Sequence, residues 1–106
     1  MISQEIQHGI KTIVHSFLPD AQIFLFGSRS GNTFRQDSDY DLLIVTEETY
    51  PPKEKMNLES KICKTLTWSL NAPFDIILHS KDEVGRFRNS KGYIIYYALK
   101  EAVELL

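Results

Sequence analysis

The stretch from residue 26 to residue 46, FGSRSGNTFRQDSDYDLLIVT, constrains the fold more than any other part of the sequence. A Gly-Ser pair ends one hydrophobic run, ten residues follow Ser28, and Asp39 and Asp41 then open a second hydrophobic run. Successive side chains of an extended strand alternate between its two faces, so these two aspartates point to the same side. Two carboxylates that close repel each other, and unless one is protonated they require a cation.

Length and composition limit what the chain can be. The 106 residues predict a single domain, residues 1–106, with one hydrophobic core and no second lobe. The sequence is 42% hydrophobic and 25% charged, as in soluble globular proteins, and its net charge of −2 argues against nucleic acid as the main partner. A single cysteine, Cys63, the lack of an apolar run of roughly 20 residues and an N-terminus without a signal-peptide pattern predict a cytoplasmic protein that does not enter a membrane.

Hydrophobic periodicity divides the chain into eight segments. The predicted order is helix (2–18), strand (21–26), loop (28–38), strand (39–46), helix (53–70), strand (74–78), short helix (80–87) and helix (93–106). The short link between the first two strands permits antiparallel pairing, whereas the helix between the second and third suits a parallel crossover. The predicted fold class is therefore α/β, a small mixed β-sheet flanked by helices.

Two of the predicted helices carry further signals. Ser80 and Glu83 have the spacing of a capping box, in which each side chain bonds the backbone N–H of the other residue. Apolar residues nearly surround the last helix, from Tyr93 to Leu106. Such a helix must bury more than one face, so we expect it to dock on a partner protein or on a second copy of the chain.

A third aspartate, Asp75, interrupts the third predicted strand, where a charge is costly unless it is paired or bound to metal. Ordinary alternatives exist: a solvent-facing or lysine-paired Asp75, a solvated strand entrance or cap at Asp39 and Asp41, and a plain tight turn at Gly27. Taken together, however, a turn whose backbone amides and Ser28 hydroxyl can bind phosphate stands beside two or three carboxylates. Mg²⁺ commonly bridges such carboxylates to substrate phosphates.

Other candidates receive structural interpretations. His79 is predicted to be a surface residue at the end of its strand rather than a phosphate ligand. Cys63 and Trp68 are predicted to pack in the interior. Four lysines of the second long helix are predicted to form a solvated face: Lys53, Lys55, Lys61 and Lys64.

The segment GSRSGNTFRQDSDYDLLIV resembles the signature of the nucleotidyltransferase superfamily that includes DNA polymerase beta, and most resembles its minimal nucleotidyltransferase branch. The shared pattern is a hydrophobic strand, Gly-Ser, about ten residues, Asp-x-Asp and a second hydrophobic strand. The resemblance implies that Gly27 and Ser28 hold the triphosphate of ATP, while Arg29 helps to neutralise its charge.

The same resemblance implies a metal site and a reaction. Asp39, Asp41 and Asp75 would bind Mg²⁺, with two ions in the site, and Asp75 would also be the base or activator for the attacking hydroxyl. The reaction implied is transfer of a nucleoside monophosphate to an acceptor, with release of pyrophosphate.

Family members this short resemble the antitoxin halves of bacterial two-gene modules, in which the small nucleotidyltransferase transfers AMP from ATP to an all-helical HEPN toxin. The resemblance therefore implies a protein acceptor that docks through residues 93–106. Two other functions stay open, because a fold does not fix a substrate. One is a non-catalytic protein that binds a nucleotide or neutralises its partner by contact, and the other is a homodimeric small-molecule nucleotidyltransferase.

Overall fold

The structure is a computed structural model that describes residues 3–26, 40–87 and 102–105. The elements in chain order are α1 (Gln4–Phe17), β1 (Gln22–Phe26), β2 (Tyr40–Thr46), α2 (Pro52–Leu70), β3 (Phe74–Ser80), α3 (Lys81–Phe87) and β4 (Val103–Glu104). The four strands form one sheet in the order β3-β2-β1-β4. β1 pairs antiparallel with β2 and β4, and β2 pairs parallel with β3. The predicted mixed sheet flanked by helices is confirmed.

α1 has a clear signal at each end. The Ser3 hydroxyl accepts a hydrogen bond from the backbone N–H of Ile6 at 3.2 Å, which satisfies one of the free amides of the first turn. At the other end the N–H of Leu18 donates to the carbonyl of Val14. Pro19 follows and cannot continue the helix, so the chain leaves α1 and enters β1 within a few residues.

α2 is the crossover that allows β2 and β3 to run parallel. It opens with Pro52, where the missing N–H costs no hydrogen bond, and it ends at Leu70, after which the capping residue Asn71 adopts the left-handed conformation with φ of 52°. α1 and α2 pack closely at Gly9, where a Cβ atom would stand 2.7 Å from Cδ2 of Leu70.

None of the helices in the described ranges is long and apolar enough to cross a bilayer.

The core lies between one face of the sheet and the two long helices. Alternate residues of the strands face it, and residues three or four apart on the helices meet them. The fully buried members are Ile10, Val14, Ile23, Leu42, Ile44, Ile62, Leu66 and Leu78. Because each such side chain contributes about 1.5–3 kcal/mol on burial, this face supplies much of the stability that fixes the sheet.

Side chains of α2 contact the strand β3 in reverse order along its length. The contacts join Lys55 to the ring of His79, Glu59 to the N–H of Leu78, and Cys63 to the carbonyl of Phe74. α2 is therefore antiparallel to β3, and its last turn lies beyond the end at which β3 begins. The contacts also give partners to backbone groups at the edge of the sheet, which would otherwise be open to pairing with another chain.

The prediction of a helix over residues 93–106 is wrong in the part that the structure describes. Val103–Glu104 is a strand, β4, and the N–H of Leu105 donates to the carbonyl of Ile23 at 2.8 Å. The reason is that β4 gives partners to backbone groups on the outer edge of β1 and buries Leu105 in the core. Residues 102–105 thus belong to the protein's own sheet and do not form part of a helix with a free face. Residues 93–101 and 106 lie outside the described residues.

Candidate active site

Three strands meet at one end of the sheet, which we call the aspartate pole and define by Phe26, Asp41 and Asp75. β1 ends at Phe26, and the two aspartates are the second residues of β2 and β3. Phe26 pairs with Asp41 across β1 and β2, and Asp41 pairs with Asp75 across β2 and β3. Since paired residues share a face of the sheet, the two carboxylates project to the same side from backbones about 4.8 Å apart.

The alternation of each strand explains why the aspartates lie on the face away from α1 and α2. Tyr40 and Phe74 directly precede them, and both rings are buried on the core side. The next residue of each strand must then point the opposite way. Asp41 is half-buried and Asp75 is exposed, so both carboxylates can be reached from the same side of the sheet.

The structure places two of the six predicted site residues. Asp41 and Asp75 are brought together as the sequence predicted, although their chemical roles stay predictions. The other four lie outside the described residues: Gly27, Ser28, Arg29 and Asp39. In the sequence Gly27 follows Phe26 directly, and Asp39 directly precedes Tyr40.

The donor set at the aspartate pole fits a hard divalent cation. Two neighbouring carboxylates repel each other, and oxygen ligands of this kind are the ones that Mg²⁺ prefers. Within residues 3–26, 40–87 and 102–105, no three His, Cys, Asp or Glu side chains group into a metal site. Asp41 and Asp75 would therefore be part of a site that takes further oxygen ligands, of which a third carboxylate and substrate phosphates are the usual kinds.

A second polar cluster, formed by Lys55, His79 and Glu83, lies at the opposite end of β3. The Lys55 ammonium donates to the Glu83 carboxylate at 2.6 Å and stands 3.2 Å from Nδ1 of His79. Glu83 also accepts from the N–H of Ser80 at 2.9 Å, while Ser80 Oγ accepts from the N–H of Glu83 at 3.1 Å. The predicted capping box is confirmed, and it anchors α3 to β3 and α2.

The charges of this cluster shift its titration. Burial lowers the pKa of His79 below its ordinary value, and the neighbouring Lys55 cation lowers it further. Burial acts to raise the pKa of Glu83, but the hydrogen bonds from Lys55 and Ser80 outweigh it and lower the pKa to about 2. Glu83 is thus ionised and His79 is neutral at pH 7.

His79 is separate from the aspartate pole. It lies four residues after Asp75 on the same strand, a distance of about 13 Å at 3.3 Å per residue. It is half-buried rather than a surface residue, because its ring contacts Lys55 and stands edge-on to Phe87 with 6.0 Å between centroids. The structure therefore gives His79 a place in the α2–β3–α3 junction and not beside the aspartates.

Three interpretations of α2 residues can be compared with the structure. Cys63 packs against the core as predicted, and its thiol donates to the carbonyl of Phe74 at 3.2 Å. The prediction for Trp68 is wrong: the side chain is 87% exposed, because it lies two positions after the buried Leu66 and so on the other side of the helix. The prediction for Lys55 is also wrong, since its ion pair with Glu83 is largely buried.

A groove at the pole opposite the aspartates lies between the end of α1 and the loop after β2. Phe17, Ala21, Thr46, Glu48 and Tyr50 contribute to its lining. Burial and the negative charges of nearby glutamates raise the pKa of Tyr50. The groove begins where β2 ends, about 17 Å from Asp41, and so it is not part of the aspartate pole.

Similar solved structures share this fold. A toxin–antitoxin MntA–HpeT mutant gives a TM-score of 0.70 at 16% identity, covering 94% of this chain and 72% of that chain. A tri-AMPylated Shewanella oneidensis HEPN toxin in complex with an MNT antitoxin gives 0.68 at 16% identity, covering 99% and 72%. A toxin–antitoxin structure with AMP-PNP gives 0.67 at 20% identity, covering 94% and 72%. A search of curated proteins finds no significant match.

A family model for polymerase beta nucleotidyltransferases matches residues 9–104. The match runs from α1 to β4 and so includes every strand of the sheet and the aspartate pole. The sheet, the paired aspartates and this match agree, and the chain belongs to the polymerase beta nucleotidyltransferase family.

Proposed function

We propose that the protein is a Mg²⁺-dependent nucleotidyltransferase that transfers AMP from ATP to a partner protein. The observation that carries the proposal is the register of β2 and β3, which sets a half-buried Asp41 beside an exposed Asp75 on the face of the sheet away from α1 and α2. In the sequence, Gly27 and Ser28 directly follow β1, whose last residue, Phe26, pairs with Asp41. Asp39 lies two residues before Asp41. Phosphate donors and carboxylates at one pole suit a metal-bound triphosphate.

The reaction divides among these residues. The backbone amides at Gly27 and the Ser28 hydroxyl bind phosphate oxygens, and Arg29 offsets their charge. Asp39, Asp41 and Asp75 would hold Mg²⁺, which when bound orients the triphosphate and stabilises the charge of the departing pyrophosphate. Asp75 accepts the proton of the acceptor hydroxyl, whose oxygen bonds to the α-phosphorus while the bond from that phosphorus to the pyrophosphate oxygen breaks.

The choice of AMP and of a protein acceptor rests on the similar structures. One of them is a HEPN toxin that carries AMP groups in complex with an MNT antitoxin, and another is a toxin–antitoxin with AMP-PNP. By that analogy the acceptor of this protein is a helical HEPN-type partner, and the protein has an antitoxin role. The sequence predicted the partner surface over residues 93–106, of which residues 102–105 belong to the sheet and not to a helix.

The test is label transfer from ATP labelled at the α-phosphate, with Mg²⁺ and the protein encoded by an adjacent gene as acceptor. We expect transfer to fall at least about 100-fold in Asp41→Asn and in Asp75→Asn, since a lost metal ligand removes charge stabilisation worth several kcal/mol. Asp82→Asn is the matched control, because that carboxylate is exposed on α3 and pairs with Arg86. Before the assay, thermal unfolding must show that each variant has the same thermal midpoint as the wild-type protein.

The outcomes separate the candidate functions. Transfer that persists in the double variant Asp41→Asn/Asp75→Asn contradicts the proposed site. Binding of ATP without any transfer identifies a non-catalytic nucleotide-binding protein. Transfer to a small hydroxyl compound in the absence of another protein identifies a small-molecule nucleotidyltransferase.

A further inference from the structure

Asp75 lies where a sheet is least constrained. Its strand, β3, stands at the end of the strand order, and Asp75 is only the second residue of that strand. The three residues before the strand form a turn that starts with Asn71 in the left-handed conformation. The first residues of an edge strand are prone to fray, because they are held by one neighbouring strand instead of two. Something must therefore fix the start of β3 if Asp75 is to stay beside Asp41.

The residues directly before the two aspartates form an aromatic pair. Tyr40 and Phe74 are partners in the same parallel register as Asp41 and Asp75. Their ring centroids are 5.0 Å apart at an interplanar angle of 25°, and the residues are 3% and 5% exposed. Offset stacking of this kind contributes about 0.5–1.5 kcal/mol beyond the burial of the rings. The pair joins the two strands on the core face, one residue before the carboxylates on the other face.

Two backbone contacts hold the same point. The N–H of Tyr40 donates to the carbonyl of Pro73 at 3.0 Å, which ties the first residue of β2 to the residue before β3. The Cys63 thiol donates to the carbonyl of Phe74 at 3.2 Å. That carbonyl belongs to the peptide unit between Phe74 and Asp75. The backbone at Asp75 is thus held from β2 on one side and from α2 on the other.

We propose that Tyr40 and Phe74 are a positioning pair that keeps Asp75 in register with Asp41. A slip of one residue would turn Asp75 to the opposite face, and a displacement of about 1 Å is enough to cost 100-fold in rate at a reacting centre. Neither ring touches the substrate in this account; both act through the aspartates that follow them. The inference rests on the proposed function, since it assigns a purpose to the alignment of the two carboxylates.

The test compares variants that lose or keep the ring pair. Phe74→Leu removes the stack and leaves an apolar side chain, and Tyr40→Leu removes it from the other strand. Tyr40→Phe keeps both rings. Leu78→Val is a matched control, because it loosens the core of the same strand at a point four residues away. The measurements are kcat and KM for transfer from ATP, Mn²⁺ affinity by electron paramagnetic resonance, and thermal midpoint.

We expect both leucine variants to lose at least about tenfold in kcat and in Mn²⁺ affinity, with KM for ATP changed less than threefold. Tyr40→Phe and Leu78→Val should keep both values near those of the wild type, even where Leu78→Val lowers the thermal midpoint as much as Phe74→Leu does. A purely structural pair predicts instead that all variants of equal thermal midpoint behave alike.

Three results would overturn the inference. The first is a folded Phe74→Leu or Tyr40→Leu protein with wild-type kcat and Mn²⁺ affinity. The second is an equal loss in Leu78→Val at the same thermal midpoint. The third uses Tyr40→Phe, which keeps both rings: a loss of kcat there as large as in Tyr40→Leu would assign the effect to the hydroxyl and not to the stack. A wild-type protein that neither binds Mn²⁺ nor transfers label overturns the proposed function, and this inference with it, whereas the three results above leave the proposed function standing.

Discussion

Glu83 joins three elements through one carboxylate. It accepts from Lys55 of α2 and from the backbone of Ser80 at the end of β3, while its own N–H, in the first turn of α3, donates to Ser80 Oγ. Half of this arrangement follows from local sequence, because the two partners of the capping box are only three positions apart. The lysine could not be predicted in the same way, since Lys55 lies 28 residues from Glu83 and its spacing on α2 is also that of a solvated face.

Removing the Glu83 carboxylate should change stability and its dependence on pH. The pKa of Glu83 in the folded protein is about 2, below its ordinary value of 4.5. Its contribution is therefore present above pH 4.5 and is lost as the pH falls from 4.5 towards 2. We expect Glu83→Gln to lower the free energy of unfolding at pH 7 by about 1–3 kcal/mol, because Lys55 is left unpaired, and to reduce the acid sensitivity below pH 4.5. Urea unfolding at several pH values measures both.

The control for that experiment is Asp82→Asn on the same helix, where the carboxylate is exposed. It should change the free energy of unfolding by less than about 0.5 kcal/mol. An acid-induced loss below pH 4.5 that is as large in Glu83→Gln as in the wild type would show that other carboxylates cause it.

Protonation of His79 should lower the free energy of unfolding in a higher pH range than protonation of Glu83 does. Burial and the Lys55 cation lower the pKa of His79 below 6.5, so the unfolded chain binds the proton more tightly than the folded one. Stability should be constant with respect to this group above pH 6.5 and should decrease as the pH falls through 6.5 to the folded pKa. We expect His79→Gln to flatten the profile there. Urea unfolding at several pH values measures the profile, and a profile in His79→Gln as steep as that of the wild type would contradict this role of His79.

At the scale of elements, β4 shows where periodicity stops being informative. Residues 93–106 are apolar on nearly every side of a helix, and a two-residue strand leaves no period to detect. The reason for the strand is non-local: an outer edge of β1 needs backbone partners. The central elements were predictable because β1, β2 and β3 are separated by a short link and by an amphipathic helix, which together specify a mixed sheet.

The contribution of the segment that contains β4 can be measured at one buried and one exposed position. Leu105 is 7% exposed and packs in the core, whereas Val103 is 50% exposed. We expect Leu105→Ala to lower the free energy of unfolding by about 2–4 kcal/mol through the cavity that it leaves. Val103→Ala should cost less than about 1 kcal/mol. Equal effects of the two substitutions in denaturant titrations would mean that Leu105 is not anchored in the core.

For the whole molecule, the sequence specified the aspartate pole better than the surfaces around it. Asp41 lies near the start of one predicted strand and Asp75 near the start of the next. Because a helical crossover makes the two strands parallel, the sequence predicts that both aspartates lie at the same end of the sheet. Which side chains surround the aspartate pole depends on how far α2 extends past the sheet and on which face of α2 stays exposed. The reach of α2 is a consequence of tertiary packing. The exposure of Trp68 was predictable, because Trp68 lies two positions after the buried Leu66 and so on the other side of α2.

Binding of a metal-bound nucleotide at the aspartate pole should stabilise the entire fold. A ligand at 100 times its dissociation constant stabilises the folded state by about 2.7 kcal/mol. We expect ATP with Mg²⁺ to raise the thermal midpoint by several degrees, and ATP with a chelator to raise it much less. Asp75→Asn should remove the difference between the two conditions. A midpoint that rises equally in wild type and Asp75→Asn would point to nucleotide binding elsewhere.

Because α2 extends past the start of β3, the fluorescence of its tryptophan, Trp68, can report on that end of the molecule. Cys63 is level with the start of β3, so the backbone of Trp68, five residues later, lies about 7 Å beyond it at the aspartate end of the sheet, on the opposite face from the carboxylates. As the single tryptophan of the chain and 87% exposed, Trp68 should emit at long wavelength and be quenched freely by acrylamide in the native protein. Unfolding should barely alter that signal. A protein that covers this end of the molecule should shift the emission to the blue and protect it from the quencher, so that docking can be followed by fluorescence in the unlabelled wild-type chain.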